Sequence, residues 1–259
     1  MVVVFSYVAL ALACSPIRGT AAFSTIAAAS LLLFFAIYAY NNVTDTEEDR
    51  ANNRPSLSLP RGLVLAMVLA AAAAFLWLSW LNGGAALLAG AGALALGAMY
   101  SHESIRLKKY ALTKTPSIAA GCFVFFLYLC FSLGAPFSWK TALVGSFIAL
   151  TSAAGSIQQD LKDVEGDRKM GVNSIPAAFG KRAARLAIAA TVAAKYAALA
   201  AGLALLAIPA SYAALFGILP LRIGMVHSLA REKYSAASRF SLMSYALIAA
   251  MVFIAEANA

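Results

Sequence analysis

The chain has 259 residues, 62% of them apolar and 12% charged; 20 Lys and Arg against 11 Asp and Glu give a net charge of +9, and the mean hydropathy is +0.80. A soluble domain of this length carries roughly twice that share of charge and has no need of apolar residues in long blocks. The composition excludes a soluble globular protein and predicts a polytopic all-α protein of the membrane, read as one domain over residues 1–259.

Nine apolar segments follow in chain order: 2–13, 21–40, 63–81, 85–100, 118–133, 142–157, 186–208, 211–229 and 240–254. Several are shorter than the roughly 20 residues of an ideal span, so the helices are expected to run on into amphipathic ends. Cys14 has no basic stretch ahead of it, so the start reads as a short first helix and not as a lipoprotein signal. Neither Cys14 nor Cys122 and Cys130 shows a CxxC or Cys/His spacing, which argues against zinc and gives no disulfide framework. The Ala- and Gly-rich stretches 85–97 and 187–207 read as close helix packing.

Threading these segments back and forth sorts the basic residues. Sixteen fall on the side of the N-terminus: Arg50, Arg54, Arg61, Arg106, Lys108, Lys109, Lys114, Lys162, Arg168, Lys169, Lys181, Arg182, Arg185, Arg231, Lys233 and Arg239. Only Arg18 and Lys140 fall on the other side. The positive-inside rule then places the N-terminus and the long loops in the cytoplasm of a cell-membrane protein. The net charge reads as topology signal and attraction to anionic lipid, with no nucleic acid involved. Lys195 and Arg222 fall within spans, and neither is assigned a role. His102 and His227 read as solvated loop residues.

Eight of the eleven acids lie in two clusters, each following an apolar span on the N-terminal side. The first reads Asn41-Asn42-Val43-Thr44-Asp45-Thr46-Glu47-Glu48-Asp49-Arg50. If the helix continues past Tyr40, then Asn41, Asp45 and Asp49 form one stripe at four-residue intervals, with Glu47 and Glu48 turned to solvent. The second reads Gln159-Asp160-Leu161-Lys162-Asp163-Val164-Glu165-Gly166-Asp167-Arg168. Gln159, Asp163 and Asp167 repeat that spacing, and Asp160 precedes Asp163 by three residues. Both clusters end in Asp-Arg, an Asn and then a Pro follow each, and 118 residues separate Asp45 from Asp163, which predicts two pseudo-repeated four-helix units.

So many carboxylates in a few turns repel one another unless a cation offsets them. Mg²⁺ suits them: it keeps several waters and binds through one or two carboxylates plus substrate phosphates. The expected ligands are Asn41, Asp45, Asp49, Asp160, Asp163 and Asp167, with Asp45, Asp49, Asp163 and Asp167 central to catalysis. Arg106, Lys108 and Lys109, after Tyr100-Ser101, are positioned in sequence to bind diphosphate together with Asn41 and Asp160. A diphosphate clamped in this way is a good leaving group, and an allylic chain attached to it can ionise inside a bundle that excludes water.

At these residues the chain resembles the UbiA superfamily of intramembrane prenyltransferases. Asn41, Asp45 and Asp49 match its NxxxDxxxD motif, and Asp160, Asp163 and Asp167 match its DxxDxxxD motif. Asp163-Val164-Glu165-Gly166-Asp167-Arg168, then Gly171, Ser174-Ile175-Pro176 and Phe179-Gly180, resemble the stretch that follows in the family, and Tyr100-Ser101 with Arg106-Leu107-Lys108 its loop between helices four and five. The resemblance implies a nine-helix bundle around a central cavity, a prenyl diphosphate donor, Mg²⁺ and a lipophilic acceptor. The second motif resembles those of the archaeal enzymes that make digeranylgeranylglyceryl phosphate and of the chlorophyll synthases, and the Asp160-x-x-Asp163 doublet leans to the former. Asn52-Asn53-Arg54-Pro55 departs from the family's N-x-P-x-R-P loop, and the short N-terminus lacks a basic residue that some members use for acceptor carboxylates. The rival activities are transfer to an aromatic quinone precursor or a tetrapyrrole, a terpene cyclase of the same superfamily, and a metal-dependent phosphatase or phosphotransferase acting on a polyprenyl phosphate. A transporter is the rival of another class; it would place its acids mid-membrane at broken helices, whereas here they sit at helix ends.

Overall fold

Inside lipid a backbone without water must satisfy its own hydrogen bonds, so long Ala- and Leu-rich runs fold as helices. The computed structural model of the chain describes residues 20–46, 59–205 and 210–257. Eight α-helices run up and down between two ends: α1 (Thr20–Thr44), α2 (Arg61–Leu81), α3 (Gly84–Ser101), α4 (Ala111–Ser132), α5 (Trp139–Lys169), α6 (Ile175–Ala204), α7 (Leu219–Ala230) and α8 (Tyr234–Ala257). Two 3₁₀ segments, Leu107–Lys109 and Ala210–Ile218, join α3 to α4 and lead into α7. Among the described residues the one β-type contact is an isolated parallel bridge between Tyr110 and Asn173.

These helices answer to eight of the nine predicted segments; the ninth, residues 2–13, lies outside the described residues together with Cys14 and Arg18. Among the described residues seven stretches are long and apolar enough to cross a membrane, as in a multi-pass membrane protein. The segment predicted over 211–229 is not one α-helix. It is 3₁₀ up to Ile218 and α-helical from Leu219, because Pro220, in the first turn of α7, has no N–H to carry an α-helical ladder back into the preceding turn.

Large apolar side chains point outward, among them Leu69, Leu88, Leu112, Leu186 and Leu205, as expected of a lipid-facing surface. All three tryptophans, Trp77, Trp80 and Trp139, are exposed towards the end away from the acidic motifs, as expected of residues that favour a membrane–water interface. The interior is filled by aromatic clusters: Phe75 lies edge-on to Tyr128 at 5.2 Å, and Phe147 edge-on to Tyr196 at 5.6 Å. Where helices approach most closely there is no room for a side chain; a Cβ on Gly97 of α3 would sit 2.6 Å from Ile37 Cγ1 of α1.

The helix that organises the bundle is α5. Ser138 caps it by accepting the Thr141 N–H at 3.2 Å, while its own N–H donates to Thr141 Oγ1 at 2.8 Å. Its most apolar stretch is 67% buried, against 22–39% for the other six spans, so protein covers most of it. Its 31 residues rise about 46 Å at 1.5 Å each, well beyond a hydrocarbon core of about 30 Å. The surplus carries the second acidic cluster, on the last turns of a continuous helix.

Candidate active site at the acid-bearing helix ends

Helix α1 does continue past Tyr40. It reaches Thr44, and the Asp45 N–H still bonds the Asn41 carbonyl at 2.9 Å, which stacks Asn41 and Asp45 on one face as their spacing predicts. Asp49, with Glu47 and Glu48, lies outside the described residues.

The connection between α3 and α4 meets this face. Ser101, the last residue of α3, donates its hydroxyl to Asn41 Oδ1. The chain then turns through Arg106 at φ 45°, ψ 56°, a left-handed conformation that costs a non-glycine residue about 1–2 kcal/mol. That turn starts the 3₁₀ segment that carries Lys108 inward. Lys108 is buried and its Nζ donates to Asp45 Oδ1, to which the Thr44 hydroxyl also donates at 3.0 Å. Lys109 is half-buried, and its carbonyl accepts the Asn173 N–H at 2.8 Å beside the Tyr110–Asn173 bridge. Arg106 lines a cavity of about 470 Å³ with Asn42, Thr44, Thr46, Arg61 and Met170. Across it Arg61 pairs with Glu103 at 3.2 Å, an exposed contact of little energetic weight.

The same connection touches the second motif. Lys114, in the first turn of α4, donates to Asp160 Oδ1 of α5 at 2.7 Å; Asp160 is buried and Lys114 half-buried. Asp163 is half-buried and Asp167 buried; Asp167 Oδ2 accepts the Ser174 hydroxyl at 2.6 Å. Ser174 is set in place where α5 ends: the Val172 N–H bonds the Asp167 carbonyl at 2.8 Å, and Gly171 supplies the positive φ of the turn. Gln159 is exposed and does not join the acids, whereas Gln158 is buried and its Nε2 lies 3.4 Å from Ser238 Oγ of α8.

Residues 101–114 therefore contact both acidic motifs. Three contributors were not among the predicted site residues: Ser101 and Ser174, which stood in the sequence only as parts of a resembling pattern, and Lys114, which had been counted only as a topology residue. Arg222, left without a role by the sequence, is fully buried in the first turn of α7, with Nη1 3.8 Å from Met225 Sδ. Lys195 is buried beside it; its Nζ donates to Thr151 Oγ1 at 3.2 Å and stands 4.6 Å and 4.9 Å from the ring centres of Phe147 and Tyr196. His102 and His227 are exposed, as expected of solvated residues.

Among the described residues no three Asp, Glu, His or Cys side chains stand close enough to hold a metal ion on their own. The candidate donors suit a cation that arrives with phosphates: all of them offer oxygens, and Asp160 Oδ2 is buried without a hydrogen-bond partner.

Membrane-length helices, two of them with acid-bearing ends that one lysine-bearing connection touches, define an integral membrane protein with its charged motifs at one end of the bundle. The chain belongs to the UbiA prenyltransferase family, whose model matches residues 2–249. It is 32% identical over 169 residues to the chloroplastic 2-acyl-4-prenylphloroglucinol 6-prenyltransferase of Humulus lupulus, a match spanning 59% of this chain and 41% of that protein. Its fold is that of a UbiA homologue from Aeropyrum pernix K1 solved in apo form, with a TM-score of 0.79 and 23% identity over 98% of this chain and 96% of that one. A UbiA homologue from Archaeoglobus fulgidus, solved with DMAPP and Mg²⁺, gives a TM-score of 0.74 and 17% identity over 99% and 97% of the two chains.

Proposed function

We propose that this chain is a Mg²⁺-dependent intramembrane prenyltransferase that moves a prenyl group from a prenyl diphosphate to a lipophilic acceptor, with its site facing the cytoplasm. The observation that carries the reading is the convergence of Lys108 on Asp45 and of Lys114 on Asp160, which puts cations beside both carboxylate motifs at one end of a hydrophobic bundle.

In this reading Asn41, Asp45, Asp49, Asp160, Asp163 and Asp167 hold Mg²⁺ with the diphosphate. The metal, when bound, supplies Lewis-acid stabilisation of the leaving group. Arg106, Lys108 and Lys109 neutralise the charge that grows on the diphosphate as the bond between its bridging oxygen and the prenyl C1 breaks and the oxygen keeps the electron pair. The acceptor then gives C1 an electron pair and loses a proton. Ser101 fixes Asn41 and Ser174 fixes Asp167 throughout, so these two ligands need no reorganisation. The apolar spans hold the prenyl tail and keep water from the reacting carbon.

Geranylgeranylglyceryl phosphate is the first acceptor to test, on the strength of the Asp160-x-x-Asp163 doublet. Transfer to an aromatic ring carbon is the second reading, favoured by the similarity to the phloroglucinol prenyltransferase. Purified protein in detergent is incubated with Mg²⁺ and labelled geranylgeranyl diphosphate, offered in parallel geranylgeranylglyceryl phosphate, an acylphloroglucinol, an aromatic acid or no acceptor. A prenylated product with one acceptor, lost on chelation, supports transfer and identifies the acceptor class. Product without any acceptor points to a cyclase, and diphosphate that is neither bound nor consumed in Mg²⁺ refutes the proposal.

A further inference from the structure

Lys114 belongs to neither motif, yet it makes a direct contact between the first half of the chain and the carboxylates of the second. Its ammonium and the Asp160 carboxylate are 13% and 7% exposed, so solvent screens their 2.7 Å contact poorly. Asp160 is held on one side only. Oδ1 takes the lysine, while Oδ2 is buried without a hydrogen-bond partner, and Asp163 and Asp167 are close enough to repel it. A carboxylate in that position calls for a second cation, and a lone divalent ion must compete with the ammonium to reach it. A diphosphate entering with the metal changes the balance, because its oxygens give the lysine another anion to face.

We propose that Lys114 is a positioning residue that occupies Asp160 in place of a metal ion and thereby makes Mg²⁺ binding conditional on diphosphate. This rests on the prenyl diphosphate reading above and extends it: the site does not fill with metal until the donor's head group is present. The order follows from the buried pair, since a site whose acids were unpaired would take up Mg²⁺ from the cytoplasm at all times.

The test uses the full chain in detergent and follows thermal stabilisation during Mg²⁺ titrations with and without inorganic pyrophosphate. The wild type is expected to respond weakly to Mg²⁺ alone and strongly to the two together. In Lys114→Met the midpoint for Mg²⁺ alone should fall at least about tenfold, the effect of removing one close competing charge, and the gap between the two titrations should shrink. Lys114→Gln keeps an N–H for Asp160 without the charge and should behave as Lys114→Met does, even if the methionine variant folds poorly. Lys114→Arg should restore the wild-type gap. Lys162→Met serves as the control, because Lys162 bonds Ser238 at 2.7 Å and not the acids; its midpoints should not move. An unchanged or weaker response to Mg²⁺ alone in both Lys114→Met and Lys114→Gln overturns the inference while the prenyl diphosphate reading stands. A wild type that responds to Mg²⁺ in neither titration overturns both.

Discussion

The contact between Gly97 and Ile37 lies one turn beneath the bond between Ser101 and Asn41, so a single methyl placed there should be felt in the site. In Gly97→Ala the new Cβ would meet Ile37 Cγ1 at 2.6 Å, Cδ1 at 2.7 Å and Cγ2 at 3.2 Å. Ordinary carbon contacts lie near 3.5–4.0 Å, so the wall must retreat by about 1 Å. Ile37 is β-branched and has essentially one helical rotamer, so its two γ carbons cannot both turn away and α1 must move off α3. Overpacking of this kind costs about 1–3 kcal/mol, which for a chain of this size lowers the melting temperature by roughly 3–10 °C. The same displacement stretches the Ser101–Asn41 hydrogen bond; losing its net ~1 kcal/mol raises the KM for the prenyl diphosphate about fivefold. Thermal unfolding in detergent and steady-state kinetics read the two effects separately. Ile37→Ala in the Gly97→Ala background should recover most of both, since it removes every atom in the clash. A Gly97→Ala protein as stable as wild type, or a double variant worse than either single one, refutes the packing argument.

Three further outcomes follow from the same geometry. Arg106→Gly should gain about 1 kcal/mol of stability by relieving the left-handed backbone, yet bind pyrophosphate more weakly in Mg²⁺; equal affinity would remove Arg106 from the diphosphate site. Lys195→Met should raise the melting temperature by a few degrees, because it removes a buried cation beside Arg222 and leaves Thr151 bonded to the Phe147 carbonyl at 2.8 Å; a lower melting temperature would show that the ammonium stabilises the bundle. Ser174→Ala removes a hydrogen bond to a carboxylate, worth about 1.5–3 kcal/mol. It should weaken the apparent Mg²⁺ affinity in the presence of pyrophosphate while Ser174→Thr keeps it, as titration would show.

The two motif-bearing helices were legible in the sequence because acids are scarce and clustered in it, and eight of the nine apolar segments correspond to helices. What the sequence concealed was of two kinds. Hydropathy ends at residue 157, but α5 runs on to Lys169, because a polar helix end satisfies its backbone as well as an apolar one and leaves no mark on an apolar profile. Contacts across the fold were equally invisible: Lys114 and Asp160 are 46 residues apart, and no local spacing joins them. Ser174 and Asn173 stood in a recognisable pattern, but their work, one holding Asp167 and the other meeting the Lys109 carbonyl, depends on how α5 ends and what docks beside it.

The burial of α5 has a consequence for how the protein is made. A nascent helix leaves the insertion machinery sideways into lipid, at a cost of about 2.5–3.5 kcal/mol for each Asp or Lys held near the bilayer centre, less towards the ends. Four of the other six membrane-length stretches present mainly lipid-compatible surface and can leave singly; α6, with Lys195 mid-span, and the stretch through α7, with the buried Arg222, share the difficulty. Helix α5, whose most apolar stretch is two-thirds buried in the finished bundle, presents the least lipid-compatible surface of the seven. Its insertion is then expected to gain from α4 being already in place, with Lys114 ready to receive Asp160. Delayed or mis-inserted α4 would be expected to send the whole second half of the chain to quality control, so that substitutions in α4 far from any ligand lower the amount of protein in the membrane before they change its chemistry.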